Sequence, residues 1–255
     1  MNVAHSGIDF ALVSVFLFFG FFLTLVFYLR REDRREGYPL EEDPSGRVRS
    51  AGGLLFMALP KTFHLAGGGE YSVPNNNRDR RTIAARRSAI APGSPLVPTG
   101  NPMIDGIGPA SYAERAKVPE RTAHGAPRIV PMRAATDFSV AKADADPRGM
   151  SVLGADGKVA GTVKDVWVDR AEWMVRYLEV ALNDGGQTVL LPMMMAVIDK
   201  TKRQVRVDAI TGAQFSDVPR LSSPDQVTLY EEERVTAYFG GGFLYAFPSR
   251  SEPVL

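Results

Sequence analysis

The strongest hydrophobic pattern in the chain lies near its N-terminus, where the 20 residues from Phe10 to Leu29 carry no formal charge. A buried helix of a soluble protein normally keeps a polar stripe, and this segment has none. A helix of about 20 residues spans the roughly 30 Å hydrocarbon core of a bilayer. The pattern therefore predicts a transmembrane helix over residues 10–30, preceded by a short tail at 1–9.

The charges beside this segment predict its orientation. Residues 1–29 contain no Lys or Arg, whereas the six residues from Arg30 to Arg35 include four arginines. A cleaved signal peptide normally begins with a basic region, so an uncleaved anchor is expected. The positive-inside rule places the following chain in the cytoplasm and the tail outside. The predicted membrane-interface anchors, which face lipid headgroups, are Tyr28, Arg30, Arg31, Arg34 and Arg35.

Between Pro39 and Pro131 the pattern changes, because 12 of the 18 prolines fall there together with several glycine and asparagine runs. Prolines and glycines at this density exclude amphipathic helices of ordinary length, although short strands at 62–65 and 71–73 are compatible with them. Apolar residues nevertheless recur throughout the stretch. We therefore expect residues 31–131 to form an extended segment that becomes ordered by lying on another protein.

One basic cluster interrupts this proline-rich stretch. Its members are Arg78, Arg80, Arg81, Arg86 and Arg87. A solvated loop face is favoured over an anionic surface as its environment. No aromatic residue lies between these arginines, so the cluster gives little support to stacking on single-stranded nucleic acid.

From Met132 onward, short β-like runs separated by turns replace the prolines. The runs cover 158–168, 174–182, 188–191, 194–198 and 204–207. Strands of this length with DG-type turns predict a small antiparallel barrel or twisted sheet within residues 132–255. Leu229 to Phe239 reads as a short C-terminal helix, and we expect Gly240-Gly241-Gly242 to end it.

Composition narrows the function classes. The mean hydropathy of −0.09 resembles that of a soluble protein, and the net charge of +1 provides no global attraction to nucleic acid. The chain has no Cys and three His, which excludes thiolate metal sites and disfavours an imidazole metal site. No nucleophile elbow, P-loop, zinc-protease or dinucleotide-binding motif is present, so independent enzyme activity is not expected.

A single group of residues has chemical promise. Asp169 and Glu172 flank an expected turn between two strands, and Arg176 begins the next strand. Neighbouring carboxylates raise one another's pKa whereas a guanidinium lowers it, so such a pair could relay protons near neutral pH. By spacing alone, an ordinary surface salt bridge is the favoured interpretation.

A series of motifs in chain order matches a known family. They are YLRREDRREGYPL at 28–40, PKTF at 60–63, PTGNPM at 98–103, GPASYAER at 108–115, WVD at 167–169, RYLE at 176–179, VP at 218–219, QVTL at 226–229 and GGFLYA at 241–246. Together they resemble the H subunit family of the purple bacterial photosynthetic reaction centre, whose C-terminal domain resembles the PRC-barrel. The resemblance covers essentially the entire chain.

This resemblance implies a fold and a role. The fold is a single transmembrane helix, an extended proline-rich segment and a mainly-β cytoplasmic domain with a small antiparallel PRC-type barrel and a short C-terminal helix. The role is a non-enzymatic subunit of the inner, or intracytoplasmic, membrane that caps the cytoplasmic face of the L and M subunits and shields the quinone sites. The implied bacteriochlorophyll, bacteriopheophytin, quinones and non-haem iron belong to partner subunits. A cytochrome subunit, a light-harvesting antenna and membrane lipids are further implied partners, and nucleic acid is not.

The resemblance also implies site residues. In the family, an acidic pair and an arginine at the positions of Asp169, Glu172 and Arg176 lie on a proton route to the secondary quinone, which favours proton transfer over a salt bridge. Protons enter that route in the segment that matches Glu120 and His124. Some members carry an acid and a second histidine where this chain has Thr122 and Ala126. Two potential metal ligands are therefore missing, which weakens the expectation of a metal site at His124, although an exposed imidazole can still collect protons.

An alternative function stays open on the residues alone. PRC-like barrels also occur in ribosome maturation factors, so the chain could be a membrane-tethered adaptor whose barrel binds another protein or RNA. The balanced charge and the aromatic-poor arginine cluster disfavour the RNA version.

Overall fold

The computed structural model describes residues 9–38, 40–41, 45, 47–49, 57–66, 68–75, 77, 79–183 and 185–251. The chain divides into two compact units. The first contains the chain up to Arg80 with Ala89–Ser94, and the second contains Arg81–Ser88 with the chain from Pro95 onward. Most of the predicted N-terminal tail, residues 1–8, and Arg78 of the arginine cluster lie outside the described residues.

The first unit is dominated by helix α1, Phe10–Glu32. Asp9 caps it, because its carboxylate accepts hydrogen bonds from the amides of Ala11 and Leu12 at 3.0 and 3.2 Å. No residue of the helix is buried, so its Phe, Leu and Val side chains are exposed along its whole length. It is the one described helix that is long and apolar enough to cross a membrane, and a short 3-10 turn, Asp33–Arg35, follows it.

Two small antiparallel hairpins complete the first unit. Strand β1 (Leu40–Glu41) pairs with β2 (Val48–Arg49), and β3 (Lys61–His64) pairs with β4 (Glu70–Val73). The β3–β4 hairpin confirms the short strands expected near 62–65 and 71–73, with shifts of one residue.

The second unit begins with a further hairpin and a helical turn. Strands β5 (Ala85–Arg87) and β6 (Leu96–Pro98) are antiparallel, and α2 (Pro102–Asp105) follows them. Met103, Ile107 and Ala110 are buried within the unit. This part of the proline-rich stretch therefore packs within its own unit, whereas the docking of the remaining exposed residues on another protein stays a prediction.

A seven-stranded sheet forms the centre of the second unit. Its strands are β7 (Ile129–Pro131), β8 (Ser151–Leu153), β9 (Val159–Asp169), β10 (Met174–Leu182), β11 (Thr188–Pro192), β12 (Ala196–Asp199) and β13 (Gln204–Val207). The order is β11-β10-β9-β8-β13-β12, and β7 pairs with β9. The sheet confirms the expected mainly-β domain, and it begins at Ile129, three residues before the expected boundary.

Two local expectations about this sheet are wrong. Strand β13 runs parallel to β8, so the sheet is mixed rather than purely antiparallel. Met194, expected in a strand, lies in the 3-10 turn Met193–Met195, and strand β12 starts at Ala196. Met194 is 82% exposed, so the run of apolar letters there does not mark a buried strand.

The hydrophobic core of the second unit contains residues of the sheet and of helix α3, Leu229–Tyr245. Its largest fully buried side chains include Trp167, Phe215 and Phe239. The helix begins with a capping box, in which Thr228 and Glu231 satisfy each other's backbone amides. Eight of the 11 residues of β9 are buried, five of them in this core, and this burial fixes the backbone at Asp169 where the strand ends.

The prediction that the glycine run ends this helix is wrong, because α3 continues through Gly240, Gly241 and Gly242 to Tyr245. The reason is close packing. A Cβ atom on Gly241 would lie 2.5 Å from the Cβ of Ala110, and one on Gly242 would lie 2.5 Å from the carbonyl oxygen of Ala209. The glycines therefore bring the helix against its neighbours, which offsets the roughly 1 kcal/mol of helix propensity that each loses relative to Ala.

Candidate functional site

The turn between β9 and β10 positions the predicted acidic pair. Asp169 closes β9, and its Oδ1 accepts hydrogen bonds from the amides of Ala171 and Glu172 at 2.9 and 3.0 Å. The amide of Trp173 donates to the Asp169 carbonyl at 2.9 Å, and Trp173 takes a left-handed φ of 55°. The expected turn is therefore confirmed, and Asp169 itself holds it in shape.

A residue that the sequence did not indicate, Arg128, lies at the centre of the site. Its Nε donates to both oxygens of Asp169 at 3.0 and 2.9 Å, and its Nη1 donates to Oε1 of Glu120 at 2.8 Å. Its Nη2 donates to Oε1 of Glu172. One guanidinium group thus joins three carboxylates. We call these four residues, Arg128, Glu120, Asp169 and Glu172, the Arg128 cluster.

Arg176 adds a second positive charge to the Arg128 cluster. Its Nε lies 3.7 Å from Oδ2 of Asp169. Three carboxylates therefore face two guanidinium groups, which leaves one excess negative charge. The Asp169 side chain is fully buried, whereas those of Glu120 and Glu172 are 41% and 51% exposed. The cluster thus connects two water-accessible carboxylates to one that is out of contact with water.

The pairing of β7 with β9 explains how Arg128 reaches this position. Ile129 lies opposite Asp169 in the antiparallel register, and the amide of Arg170 donates to the Arg128 carbonyl at 2.9 Å. Arg128 therefore stands beside the end of β9, although 41 residues separate it from Asp169 in the chain. The one signal in the sequence is a basic residue directly before the apolar strand Ile129–Pro131.

Burial and hydrogen bonding act in opposite directions on Asp169. Burial raises the pKa of its carboxyl, but the hydrogen bonds from Arg128 and from the amides of Glu172 and Ala171 outweigh burial and hold that pKa below its ordinary value. The same bond to Asp169 raises the pKa of Arg128. Asp169 thus stays ionised at neutral pH and is a fixed negative charge.

Glu120 and His124 belong to one tight turn but differ in their contacts. An isolated bridge joins Arg121 to Pro127, and the Arg128 amide donates to the Glu120 carbonyl at 2.8 Å, which brings Glu120 to the cluster. His124 lies exposed near the tip of the turn, and no ion pair joins it to a described carboxylate. No group of three metal-ligating side chains occurs among the described residues, so the geometry gives no support to a metal site at His124.

A cleft of about 780 Å³ opens beside the Arg128 cluster. One of its lining residues, Glu232, was not identified from the sequence. Glu120, Arg176, Tyr177 and Glu232 contribute to its lining. The hydroxyl of Tyr177 donates to Oε2 of Glu232 at 2.9 Å. Burial raises the pKa of Glu232, and the bond from Tyr177 and the charge of Arg176 only partly oppose it. Glu232 therefore has the pKa of a group that exchanges protons closer to neutral pH than an ordinary glutamate.

A second group of charges lies further along β9, around Arg133. Nη1 of Arg133 contacts Oδ2 of Asp165 at 3.1 Å and Oε2 of Glu179 at 2.6 Å. Trp167 Nε1 donates to the same Glu179 oxygen at 3.0 Å, and Lys164 Nζ lies 3.1 Å from the other oxygen. We call these residues the Arg133 cluster. Burial raises the pKa of Glu179, but its bonds from Arg133, Trp167 and Lys164 lower it overall.

The predicted membrane-interface anchors occupy two kinds of position. Tyr28 and Arg30 are exposed on the last turns of α1. Arg31 is half-buried, and Arg34 lies 5.7 Å from the ring centroid of Tyr38. Arg35 is bound within the chain, because its guanidinium contacts Glu32 and two backbone carbonyls. Lipid contact by these residues stays a prediction.

Comparison with known protein families gives two matches in chain order. The model for the N-terminal region of the photosynthetic reaction-centre H-chain matches residues 2–134, which is more than half of the chain. The model for the PRC-barrel domain matches residues 140–214. The first match includes Glu120 and Arg128, and the second includes Asp169, Glu172 and Arg176.

Proposed function

The chain belongs to the photosynthetic reaction-centre H-chain family, and we propose that it caps the cytoplasmic face of the L and M subunits and conducts protons to the secondary quinone. Membership of the family makes it a subunit of a reaction-centre complex with other subunits. The apolar helix α1 fits a membrane-associated protein.

We propose that α1 crosses the inner, or intracytoplasmic, membrane once, with the N-terminus in the periplasm. The support is an exposed apolar helix followed directly by basic residues, of which Arg30 and Arg31 lie in its last turn. The positive-inside rule then places the chain that follows α1 on the cytoplasmic side. In this orientation the acidic residues of the second unit lie on the side from which protons are taken up.

We assign the pigments, quinones and non-haem iron to the partner subunits. The quinone supplies the electron acceptor, and its full reduction consumes two protons. Since a quinone site inside the complex is shielded from bulk water, ionisable side chains must carry protons inward. The contribution proposed for this chain is that conduction, together with the cover that shields the site.

The observation that carries the proposal is the Arg128 cluster, which connects exposed and buried carboxylates through one guanidinium group. Glu120 and Glu172 are exposed enough to accept protons from water. Asp169 and Arg128 do not change their charge at neutral pH, because the pKa of Asp169 is lowered and that of Arg128 is raised. We assign Glu120 and Glu172 as proton carriers, Asp169 and Arg128 as the fixed charges that position them, and His124 as a proton collector on the same turn.

Glu232 provides the inner step of the proposed route. It lines the same cleft as Glu120 and Arg176, and burial raises the pKa of its carboxyl. A carboxyl with a raised pKa holds a proton at a pH where an exposed glutamate releases it, so protons that reach Glu120 can pass to Glu232. Tyr177 acts as a positioning residue, because its hydroxyl fixes one oxygen of Glu232.

The test is the substitution Glu172→Gln in the complete complex, purified through this chain. Flash-induced proton uptake and the second electron transfer to the secondary quinone should slow, whereas primary charge separation should not change. We expect less slowing than the roughly 100-fold typical of a lost acid–base group, because Glu120 stays in place. A matched control is Asp146→Asn, since Asp146 forms an exposed pair with Arg148 at 2.6 Å, separate from the cluster.

Two outcomes would contradict the proposal at different levels. Wild-type proton uptake in Glu172→Gln complexes at every pH would remove Glu172 from the route. A preparation without near-infrared bacteriochlorophyll bands would contradict the assignment of the partners, and it would favour a tethered adaptor instead.

A further inference from the structure

The β3–β4 hairpin of the first unit has two chemically different faces. Because side chains alternate along a strand and paired residues share a face, Lys61 and Phe63 lie on one side with their partners Val73 and Tyr71. Phe63 is 40% exposed and Tyr71 is 45% exposed, and Lys61 Nζ lies 5.2 Å from the Phe63 ring centroid. This aromatic face is therefore accessible and carries one positive charge.

The opposite face of the hairpin is polar. Thr62 and Ser72 share a hydrogen bond of 2.6 Å between their hydroxyl groups. Nδ1 of His64 lies 3.3 Å from Oε1 of Glu70, and both side chains are largely exposed. The hairpin is thus amphipathic. On its aromatic face Val73 is buried within the first unit, whereas Phe63 and Tyr71 are exposed.

Arg35 fastens this hairpin to the end of α1. Its Nη1 donates to the Leu59 carbonyl at 2.5 Å and to the Val73 carbonyl at 3.2 Å, at the base of the two strands. Its Nε and Nη2 donate to Glu32 at 2.8 and 2.7 Å. Lys61 Nζ reaches the same carboxylate at 4.0 Å. One guanidinium group is hydrogen-bonded to both the last turn of α1 and the base of the hairpin. The hairpin base is therefore held beside the C-terminal end of α1.

The length of α1 places its C-terminal end, with the hairpin base beside it, at a membrane boundary. The 23 residues of α1 rise by roughly 35 Å, slightly more than the roughly 30 Å of a hydrocarbon core. If α1 crosses the bilayer as proposed above, its last turn and the hairpin base lie in the headgroup layer. Aromatic rings and lysines that extend from an apolar surface are the side chains favoured in that layer.

We infer that the aromatic face of the β3–β4 hairpin binds the headgroup layer of an anionic lipid surface. Phe63 and Tyr71 enter the boundary between headgroups and acyl chains, and Lys61 contacts lipid phosphates. The exposed side chains of Leu59 and Leu65, at the two ends of β3, extend the apolar edge of this face. The inference rests on the proposed membrane crossing of α1, and it adds a second, peripheral contact with the membrane.

The chain contains no cysteine, so single spin labels can be introduced without background sites. Three full-length variants are needed: Phe18→Cys in the middle of α1, Phe63→Cys on the aromatic face and His64→Cys on the polar face. Each is labelled and reconstituted in vesicles of equal parts phosphatidylcholine and phosphatidylglycerol. Collision rates are then measured with oxygen, which partitions into acyl chains, and with a water-soluble nickel chelate.

The expected result is an oxygen-to-nickel collision ratio several-fold higher at Phe63 than at its neighbour His64, and highest at Phe18. Equal ratios at Phe63 and His64, with a high ratio at Phe18, would overturn the lipid contact while leaving the crossing of α1 intact. A low ratio at Phe18 would instead contradict the crossing itself. In the assembled complex, protection of Phe63 from both probes would show that a protein partner covers this face, which would also overturn the inference.

Discussion

The two arginine clusters of the second unit have the same construction and different neighbouring carboxyl groups. Arg128 and Arg133 stand at either end of β7, and they bind Asp169 and Asp165 of β9 respectively. The Arg128 cluster includes two exposed glutamates and borders the cleft that Glu232 lines. In the Arg133 cluster the guanidinium group contacts Glu179, whose side chain is 5% exposed, and its Nη2 lies 3.2 Å from Oδ1 of the exposed Asp225.

The ion pairs themselves therefore do not define a proton route. In both clusters a guanidinium group joins a buried β9 aspartate to an exposed carboxylate, which is Glu120 or Glu172 in one and Asp225 in the other. Of the two, only the Arg128 cluster borders a cleft whose lining includes a carboxyl with a raised pKa, that of Glu232. Glu179 has a lowered pKa and three bonds from Arg133, Trp167 and Lys164. We therefore interpret the Arg133 cluster as a clamp that stabilises the sheet.

The largest expected effect is that of Arg133→Met on stability. The substitution leaves Asp165 and Glu179 buried without their main cation, and we expect a loss of about 2–3 kcal/mol in the free energy of unfolding, since Arg133 is 38% exposed. Urea unfolding of the full-length chain in detergent, followed by tryptophan fluorescence, measures it. Lys164→Met is the control and should cost less than about 1 kcal/mol, because Lys164 is 54% exposed. Slowed proton uptake in Arg133→Met complexes that assemble would break the distinction between the two clusters.

The free energy of unfolding at acid pH should also depend on the Arg133 cluster. A carboxyl with a lowered pKa in the folded state stabilises the protein above the ordinary titration of about pH 4, and that contribution is lost as the pH falls further. The pKa values of both Asp169 and Glu179 are lowered, so the wild-type chain should lose stability below about pH 4. Glu179→Gln should reduce this loss of stability when unfolding is measured from pH 6 to pH 3. An unchanged slope would mean that Glu179 is not held ionised by its three partners.

The smallest expected effect is that of Glu232→Gln, and its sign is opposite. A carboxyl with a raised pKa destabilises the folded state as the pH rises from about 4 toward neutrality, because the unfolded chain releases its proton first. The variant should therefore gain stability relative to wild type at pH 7 compared with pH 4. Glu233→Gln is the matched control, because it removes a carboxylate from the next position of the same helix. The same trend in both variants would contradict a specific proton affinity at Glu232.

The local part of the site could be predicted from the sequence. A turn between two β-like runs places Asp169 and Glu172 together because only two residues separate them, and Arg176 follows on the next strand. The helix over residues 10–30 was equally predictable, since its apolar run needs no partner to be recognised. Family resemblance was needed for Glu120, which neighbours the cluster only through the turn at 121–127.

The site residues that could not be predicted from the sequence are positioned by contacts between segments far apart in the chain. Arg128 meets Asp169 because β7 pairs with β9, and no periodicity in the sequence indicates that pairing across 41 residues. Glu232 looks like any charge in the first turn of a helix, and its raised pKa arises from burial against Tyr177 in the folded unit. The parallel pairing of β8 with β13 was hidden for the same reason.

The glycine run of α3 makes the stability of this helix depend on its docking against the rest of the second unit. Three successive glycines each weaken a helix by roughly 1 kcal/mol, so α3 is a poor helix in isolation and gains stability when Gly241 and Gly242 dock on Ala110 and Ile210. Glu232 sits on this helix and meets Tyr177 of β10 only in the docked state. The inner carboxyl of the proposed route therefore depends on the docking of α3, whereas the bond between Arg128 and Asp169 depends on the pairing of β7 with β9.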